Sequence, residues 1–257
     1  MRLGVIGYGN MGESFAKALR ERAEVVVYDV SEEKRQKAWA EGFGVVESTE
    51  FLLEHSQWLL VAVKPLDAVE VLKSLRGKVG ERLLISLVAG LSLSKMKELS
   101  DASKLIRLMP NINALVGKAT IACAFGSGVE EKEKESFLKL FSVCGSLYEL
   151  KEEAFDAFTA LAGSGPAFVF RFIHALALAG VKEGFPYEVA KSLALDVVSG
   201  SCELLKEKGG HPEEWVVKVA SPGGTTIEGI KVLEEKGFAG IVIECIQKTS
   251  EKARKLL

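Results

Sequence analysis

From the N-terminus to about residue 150, short apolar runs alternate with amphipathic stretches; beyond that the alternation stops. The runs 2–6, 24–29, 57–63, 82–86, 104–109 and 118–124 predict strands, because each is short, apolar and followed by a segment with helical spacing. Such alternation builds a largely parallel, doubly wound sheet wrapped by helices. The unbroken run Trp58-Leu59-Leu60-Val61-Ala62-Val63 suits a central strand buried on both faces. After Lys151 the pattern turns helical almost to the C-terminus, predicting helices at 152–162, 166–183, 187–208, 212–219, 224–236 and 239–256. The expected organisation is an α/β domain over 1–150 and an all-α domain over 151–257.

The helix predicted at 166–183 carries Phe168, Phe172, Ala175, Ala179 and other apolar residues over nearly its whole circumference, with few charges. A helix of that kind is buried on most sides. In so small a domain this points to packing against a second subunit, with a central position in a monomeric bundle as the alternative.

Composition narrows the class. The 257 residues are 48% hydrophobic and 26% charged, enough for one or two domains with real cores. With 33 basic against 35 acidic residues the net charge is −2, so no positive field favours nucleic acid. No run approaches the roughly 18 consecutive apolar residues of a membrane span, and no signal-peptide pattern opens the chain, so a cytoplasmic protein without a membrane partner is expected. Cys123, Cys144, Cys202 and Cys245 are scattered and form no metal-binding pair, and His55, His174 and His211 are likewise isolated. Neither a metal site nor a catalytic histidine is expected.

The chemistry lies in the glycines. Gly7-Tyr8-Gly9-Asn10-Met11-Gly12 follows the first strand and opens a helix, which is the context that gives this spacing its meaning. The first glycine permits a tight turn, the second lets a pyrophosphate approach the backbone, and the third lets helix and strand pack closely. The second strand ends at Asp29, about 20 positions on, where a carboxylate can accept from a ribose 2′-hydroxyl. Asp29 leans the reading toward NADH, while Lys34 and Arg35 nearby leave NADPH open. Two further strand ends belong to the same expected site. Ala62-Val63-Lys64-Pro65 presents a basic side chain where open α/β sheets bind ligands, and Val88-Ala89-Gly90 is small enough for a flat ring to approach. Arg107-Leu108-Met109-Pro110-Asn111 also stops a strand with proline, its Asn either facing the cleft or making a turn.

Two glycine-rich breaks interrupt the helical half. Ala162-Gly163-Ser164-Gly165-Pro166-Ala167 reads as helix initiation with proline at an early position. In Ser221-Pro222-Gly223-Gly224-Thr225-Thr226, hydroxyls and free amides converge at a helix start, a suitable pocket for a small carboxylate. A carboxylate pocket in a nicotinamide-binding chain suggests an amino or hydroxy acid substrate.

Together these motifs, with the His211-Pro212 pair, resemble the pyrroline-5-carboxylate reductase family over essentially the whole chain. The resemblance implies a Rossmann-type domain followed by a helical dimerisation domain, a homodimer or larger assembly of dimers, and reduction of pyrroline-5-carboxylate to proline. It implies that Ser221, Gly223, Gly224, Thr225 and Thr226 surround the substrate, with Thr226 at the imine nitrogen as the catalytic contact. Residues 7–12, Ala62 to Pro65 and Val88 to Gly90 would hold the nucleotide. The chain departs from the family's usual wording at Asn111-Ile112-Asn113 and at Val88. A β-hydroxyacid dehydrogenase is the nearest alternative, but its Gly-x-x-x-Lys-x-x-x-Asn helix has no counterpart in residues 163–169. A nucleotide-sensing assembly module is a second, and it has no need of the pocket at 221–226.

Overall fold

The computed structural model describes residues 1–254. In chain order the first part comprises β1 (Arg2–Ile6), α1 (Asn10–Leu19), β2 (Glu24–Tyr28), α2 (Glu32–Ala40), β3 (Gly44–Val45), α3 (Thr49–His55), β4 (Trp58–Val61), α4 (Pro65–Ser74), β5 (Leu83–Ser86), α5 (Leu93–Ser100), β6 (Lys104–Met109), β7 (Ala119–Phe125), α6 (Glu131–Phe141) and β8 (Gly145–Glu149). The strands form one sheet of order β3-β2-β1-β4-β5-β6-β7-β8, parallel except where β7 runs against β6. All six strands expected from the sequence are present. The strands β3 and β8 are additions at the two edges, short or half exposed, and so without an apolar run to announce them.

Side-chain alternation divides the core into two layers. Trp58 and Leu60 of β4 join Leu3, Phe15 and Phe137 on one face, while Leu59 and Val61 join Ile6, Leu52 and Leu72 on the other. All four residues of β4 are buried, as a strand covered on both faces must be.

The chain then continues through a 3-10 turn (Glu152–Ala154), α7 (Phe155–Phe158) and a π-helical turn (Thr159–Gly163). The single helix expected at 152–162 is therefore three different turns. The remaining helices are α8 (Gly165–Lys182), α9 (Tyr187–Lys208), α10 (Pro212–Val219), α11 (Thr225–Glu235) and α12 (Phe238–Ala253). These match the expected positions; of the last one, residues 255–256 lie outside the described residues. Two compact units result, Met1–Gly163 with the end of α12 from Lys252, and Ser164–Glu251.

Within the second unit, α8 and α9 form a hairpin that approaches closely at small residues. A Cβ on Gly180 would lie 2.8 Å from that of Ala190, and Ala177, Ala190 and Ala194 are buried in the seam. Other apolar side chains face outward, including Phe170 at 59%, Leu178 at 51% and Ile241 at 60% exposure, so this unit buries little of its apolar surface within the chain. Within Glu152–Lys182 an 18-residue window reaches a mean hydropathy of 1.4, enough by length and composition alone to cross a membrane. Asp156 and Arg171 interrupt its apolar residues, which is why a count of consecutive apolar positions does not single it out.

Candidate active site

The glycine loop owes its shape to three different constraints. Gly7 has φ of +98°, a left-handed value that favours glycine, and its N–H donates to the Tyr28 carbonyl at 2.8 Å. A Cβ on Gly12 would collide with the Gly7 carbonyl and press on the Ala62 side chain, so α1 and the end of β4 meet at this point. Gly9 is the opposite case: a Cβ there would meet no protein atom within 4 Å. Gly9 is also the N-cap of α1 and supplies no side-chain cap, leaving the first amides of the helix toward that open space. An open cradle before uncapped amides fits a dinucleotide's pyrophosphate. An open depression of about 500 Å³ beside α1 is lined by Asn10, Ser14, Lys17 and Leu115, and includes none of the other residues assigned to the nucleotide.

Asp29, 5% exposed, is turned into the protein. Its Oδ2 accepts from the Tyr8 N–H at 2.7 Å and its Oδ1 from the Ser31 N–H at 2.9 Å, with Lys34 Nζ 3.5 Å from Oδ2. The carboxylate therefore ties the glycine loop to the end of β2. Arg35 Nη1 donates to the carbonyls of Asp29 and Val30 at 2.7 and 3.1 Å, which brings a guanidinium to the same strand end.

Tyr8 extends this bracing. Its ring is buried edge-on to Phe43 and its hydroxyl donates to Glu41 Oε2 at 2.6 Å. Glu41 Oε1 meets Lys17, which also holds Glu13, and Lys37 holds Glu13 from the other side. Burial, then Glu41, push the Tyr8 phenol well above its ordinary pKa. The Tyr8 hydroxyl, then Lys17, hold the Glu41 carboxyl below its ordinary value despite the cost of desolvation. No short-range sequence signal links Tyr8 with Glu41, 33 positions away.

At the neighbouring strand ends, Ala62 abuts Gly7 and Gly12, whereas Lys64 and Pro65 are exposed, Lys64 as the N-cap of α4. Val88 is buried with its N–H on the Ser86 hydroxyl at 3.1 Å; Ala89 and Gly90 are exposed, Gly90 with φ of +76°. Asn111 is 5% exposed and makes bonds within the protein: Oδ1 accepts from the Thr120 N–H at 3.2 Å, and Nδ2 donates to the Ala162 carbonyl at 3.0 Å. The side chain bridges two segments distant in sequence, which neither of its sequence readings, cleft or turn, describes. Buried Arg107 donates to Glu152 Oε1 at 2.8 Å and lies over the Phe155 ring, a pairing 45 positions apart that left no trace in the sequence.

In the second unit, Gly223 has φ of +68° and the Gly224 N–H closes the turn on the Ser221 carbonyl at 3.0 Å. A side chain on Gly224 would strike the Ser221 hydroxyl. Gly224 is the N-cap of α11 without a side-chain cap, which leaves the first amides of that helix without a side-chain partner beside Thr225 and Thr226. Ser221, Gly223 and Thr225 are exposed, and Gly224 and Thr226 are half-buried. His211 caps α10 by accepting from the Glu213 N–H at 3.2 Å, His55 meets the Phe51 carbonyl at 2.8 Å, and His174 meets the Tyr187 hydroxyl at 3.2 Å. Burial pushes the Cys123 and Cys144 thiols up to about 12.

Comparison with known proteins converges on one family. Residues 152–256 match the model for pyrroline-5-carboxylate reductase dimerisation, and residues 2–90 match that for coenzyme F420-dependent NADP oxidoreductases. Pyrroline-5-carboxylate reductase of Aquifex aeolicus is 49% identical over 100% of this chain and 97% of its own length. The Escherichia coli enzyme of that name is 34% identical over 99% and 98%. Among solved structures, Plasmodium falciparum pyrroline carboxylate reductase with NADP bound matches with a TM-score of 0.87 at 31% identity, covering 99% of this chain and 97% of that one. The Streptococcus pyogenes enzyme matches with a TM-score of 0.88 at 33% identity, covering 99% and 98%.

Proposed function

The chain belongs to the pyrroline-5-carboxylate reductase family, and on that premise we propose how its residues divide the work. It is a pyridine-nucleotide-dependent oxidoreductase that reduces the cyclic imine of pyrroline-5-carboxylate to proline; the observation that carries this is the match to reductases of that name over the full chain. When bound, the reduced nucleotide supplies the hydride for the imine carbon, while a proton goes to the ring nitrogen.

Residues 7–12 receive the pyrophosphate, and the geometry that supports this is the open cradle at Gly9. Ala62 to Pro65 and Val88 to Gly90 border the nucleotide at the carboxyl edge of the sheet, where ligands of open α/β sheets lie. The Ser221 hydroxyl and the first amides of α11 hold the substrate carboxylate, and the Thr226 hydroxyl donates to the imine nitrogen. No strong acid or base is required of the chain, because orientation alone contributes several kcal/mol to such a transfer. Residues 1–150 thus serve the nucleotide, and 151–257 serve the substrate and assembly.

Both nucleotides are accepted. The Asp29 charge is occupied by two amides and faced by Lys34, which weakens its repulsion of a 2′-phosphate, and Arg35 offers that phosphate a partner. The match to NADP oxidoreductases and the NADP-bound relative support NADPH. The outward apolar side chains of α8, α9 and α12 support a homodimer or a larger assembly of dimers, in keeping with the dimerisation model over 152–256.

The test is direct. Purified protein, mixed with pyrroline-5-carboxylate and each reduced nucleotide in turn, consumes the reduced-nicotinamide absorbance and yields proline; no consumption with either nucleotide overturns the reading.

A further inference from the structure

We propose that Asn111 is a positioning residue: through the Ala162 carbonyl it fixes the π-helical turn Thr159–Gly163 against the carboxyl end of β6, and so sets one wall of the hydride-transfer site. The inference rests on the reading that Val88-Ala89-Gly90 borders the nicotinamide.

The local structure follows from two breaks in regularity. Pro110 ends β6 and has no N–H for the ladder to β7. The antiparallel register, with Met109 opposite Ala122, puts Asn111 opposite Thr120, and its side-chain Oδ1 accepts the Thr120 N–H in place of a backbone carbonyl. Its Nδ2 then reaches Ala162 in the π turn at 3.0 Å. A π turn is rare, and single ones cluster at functional sites. This one is held at its start by the Thr159 hydroxyl on the Phe155 carbonyl at 2.7 Å and at its end by Asn111. Without the Asn111 donor, the Ala162 carbonyl loses its side-chain partner and the turn loses a restraint against relaxing to an α-helix.

The turn lies where the reaction needs a wall. The parallel register Ser86 with Arg107 brings Met109 to the same strand edge as the loop beginning at Val88. A Cβ on Gly163 would sit 3.6 Å from Met109 Cε, so the turn packs directly on that edge. The segment is pinned a second time by Glu152 Oε1, which accepts from Arg107 and, at 3.0 Å, from the first N–H of α5 just beyond the same loop.

The decisive variant is Asn111→Asp, which keeps the acceptor for Thr120 and turns the donor into a second oxygen facing the Ala162 carbonyl. Amide hydrogen exchange over 159–163 is measured without nucleotide, nucleotide affinity by fluorescence, and kcat with nucleotide carrying hydrogen or deuterium at the transferred position. The turn loses protection, nucleotide affinity stays within about twofold, and kcat falls about tenfold with a larger isotope effect, as expected when donor and acceptor are misplaced. Wild-type kcat and isotope effect, or an unaltered turn, overturn the inference. If Asn111→Asp does not fold, Thr159→Ala loosens the other end of the turn and gives the same pattern at about threefold in kcat; an unchanged kcat there overturns it equally. A wild-type protein that fails to reduce the imine sinks the functional reading instead, which separates the two failures.

Discussion

The backbone N–H of Tyr8 donates to the buried Asp29 carboxylate at 2.7 Å, so the acidic residue at the end of β2 shapes the glycine loop. Hydrogen bonds to a charged group contribute about 1.5–3 kcal/mol each. Asp29→Ala therefore lowers kcat/KM with NADH and NADPH together, by about tenfold or more, because the loop that receives either nucleotide is released. Arg35→Ala lowers only the NADPH value. Steady-state kinetics with both nucleotides checks this; a gain in NADPH use by Asp29→Ala would place the carboxylate against the ribose instead.

Gly9 and Gly12 separate binding from folding. Gly9→Ala puts a methyl group into space bounded by no protein atom, so thermal stability is retained while nucleotide affinity drops. Gly12→Ala forces a methyl group into the Gly7 carbonyl, so it lowers the melting temperature whether or not nucleotide is present. Calorimetry with and without nucleotide distinguishes them, and equal destabilisation by both variants contradicts the cradle.

Glu41 and Glu13 have carboxyl pKa values held below the ordinary glutamate range, Glu41 chiefly by the Tyr8 hydroxyl and Glu13 by Lys17. A depressed carboxyl pKa contributes stability that is complete above the unfolded value, about 4.3 for glutamate, and is lost as pH falls through the lower folded value. Melting temperature accordingly falls on acidification below that point, and the fall is shallower in Glu41→Gln. Melting curves from neutral to strongly acid pH provide the check; parallel slopes for the two proteins refute it.

Much of the fold was legible because its strands are buried on both faces and stand out as apolar runs, β4 most of all. The edge strands were not. β3 pairs through only two residues, and β8 carries exposed Ser146, Tyr148 and Glu149, so neither has the pattern of a buried strand. The reversal of β7 leaves no mark on hydrophobicity, and a π turn inside an apolar helix is too short to shift the helical period visibly. At the site, the glycines were readable because their spacing is a backbone requirement. The inward turn of Asp29, the Tyr8 to Glu41 bond and the bridge from Asn111 to Ala162 were not, since each joins residues that only the tertiary structure brings together.

The central claim is that the Ser221, Thr225 and Thr226 cluster at the start of α11 grips the imine acid, with Thr226 at its nitrogen. Its most direct test is Thr226→Ala, followed by kcat/KM for pyrroline-5-carboxylate and by nucleotide affinity in the same preparation. The account predicts a loss of about 1–3 kcal/mol in transition-state binding, the scale of one hydrogen bond, with nucleotide affinity unchanged. Wild-type catalytic efficiency in that variant would contradict it.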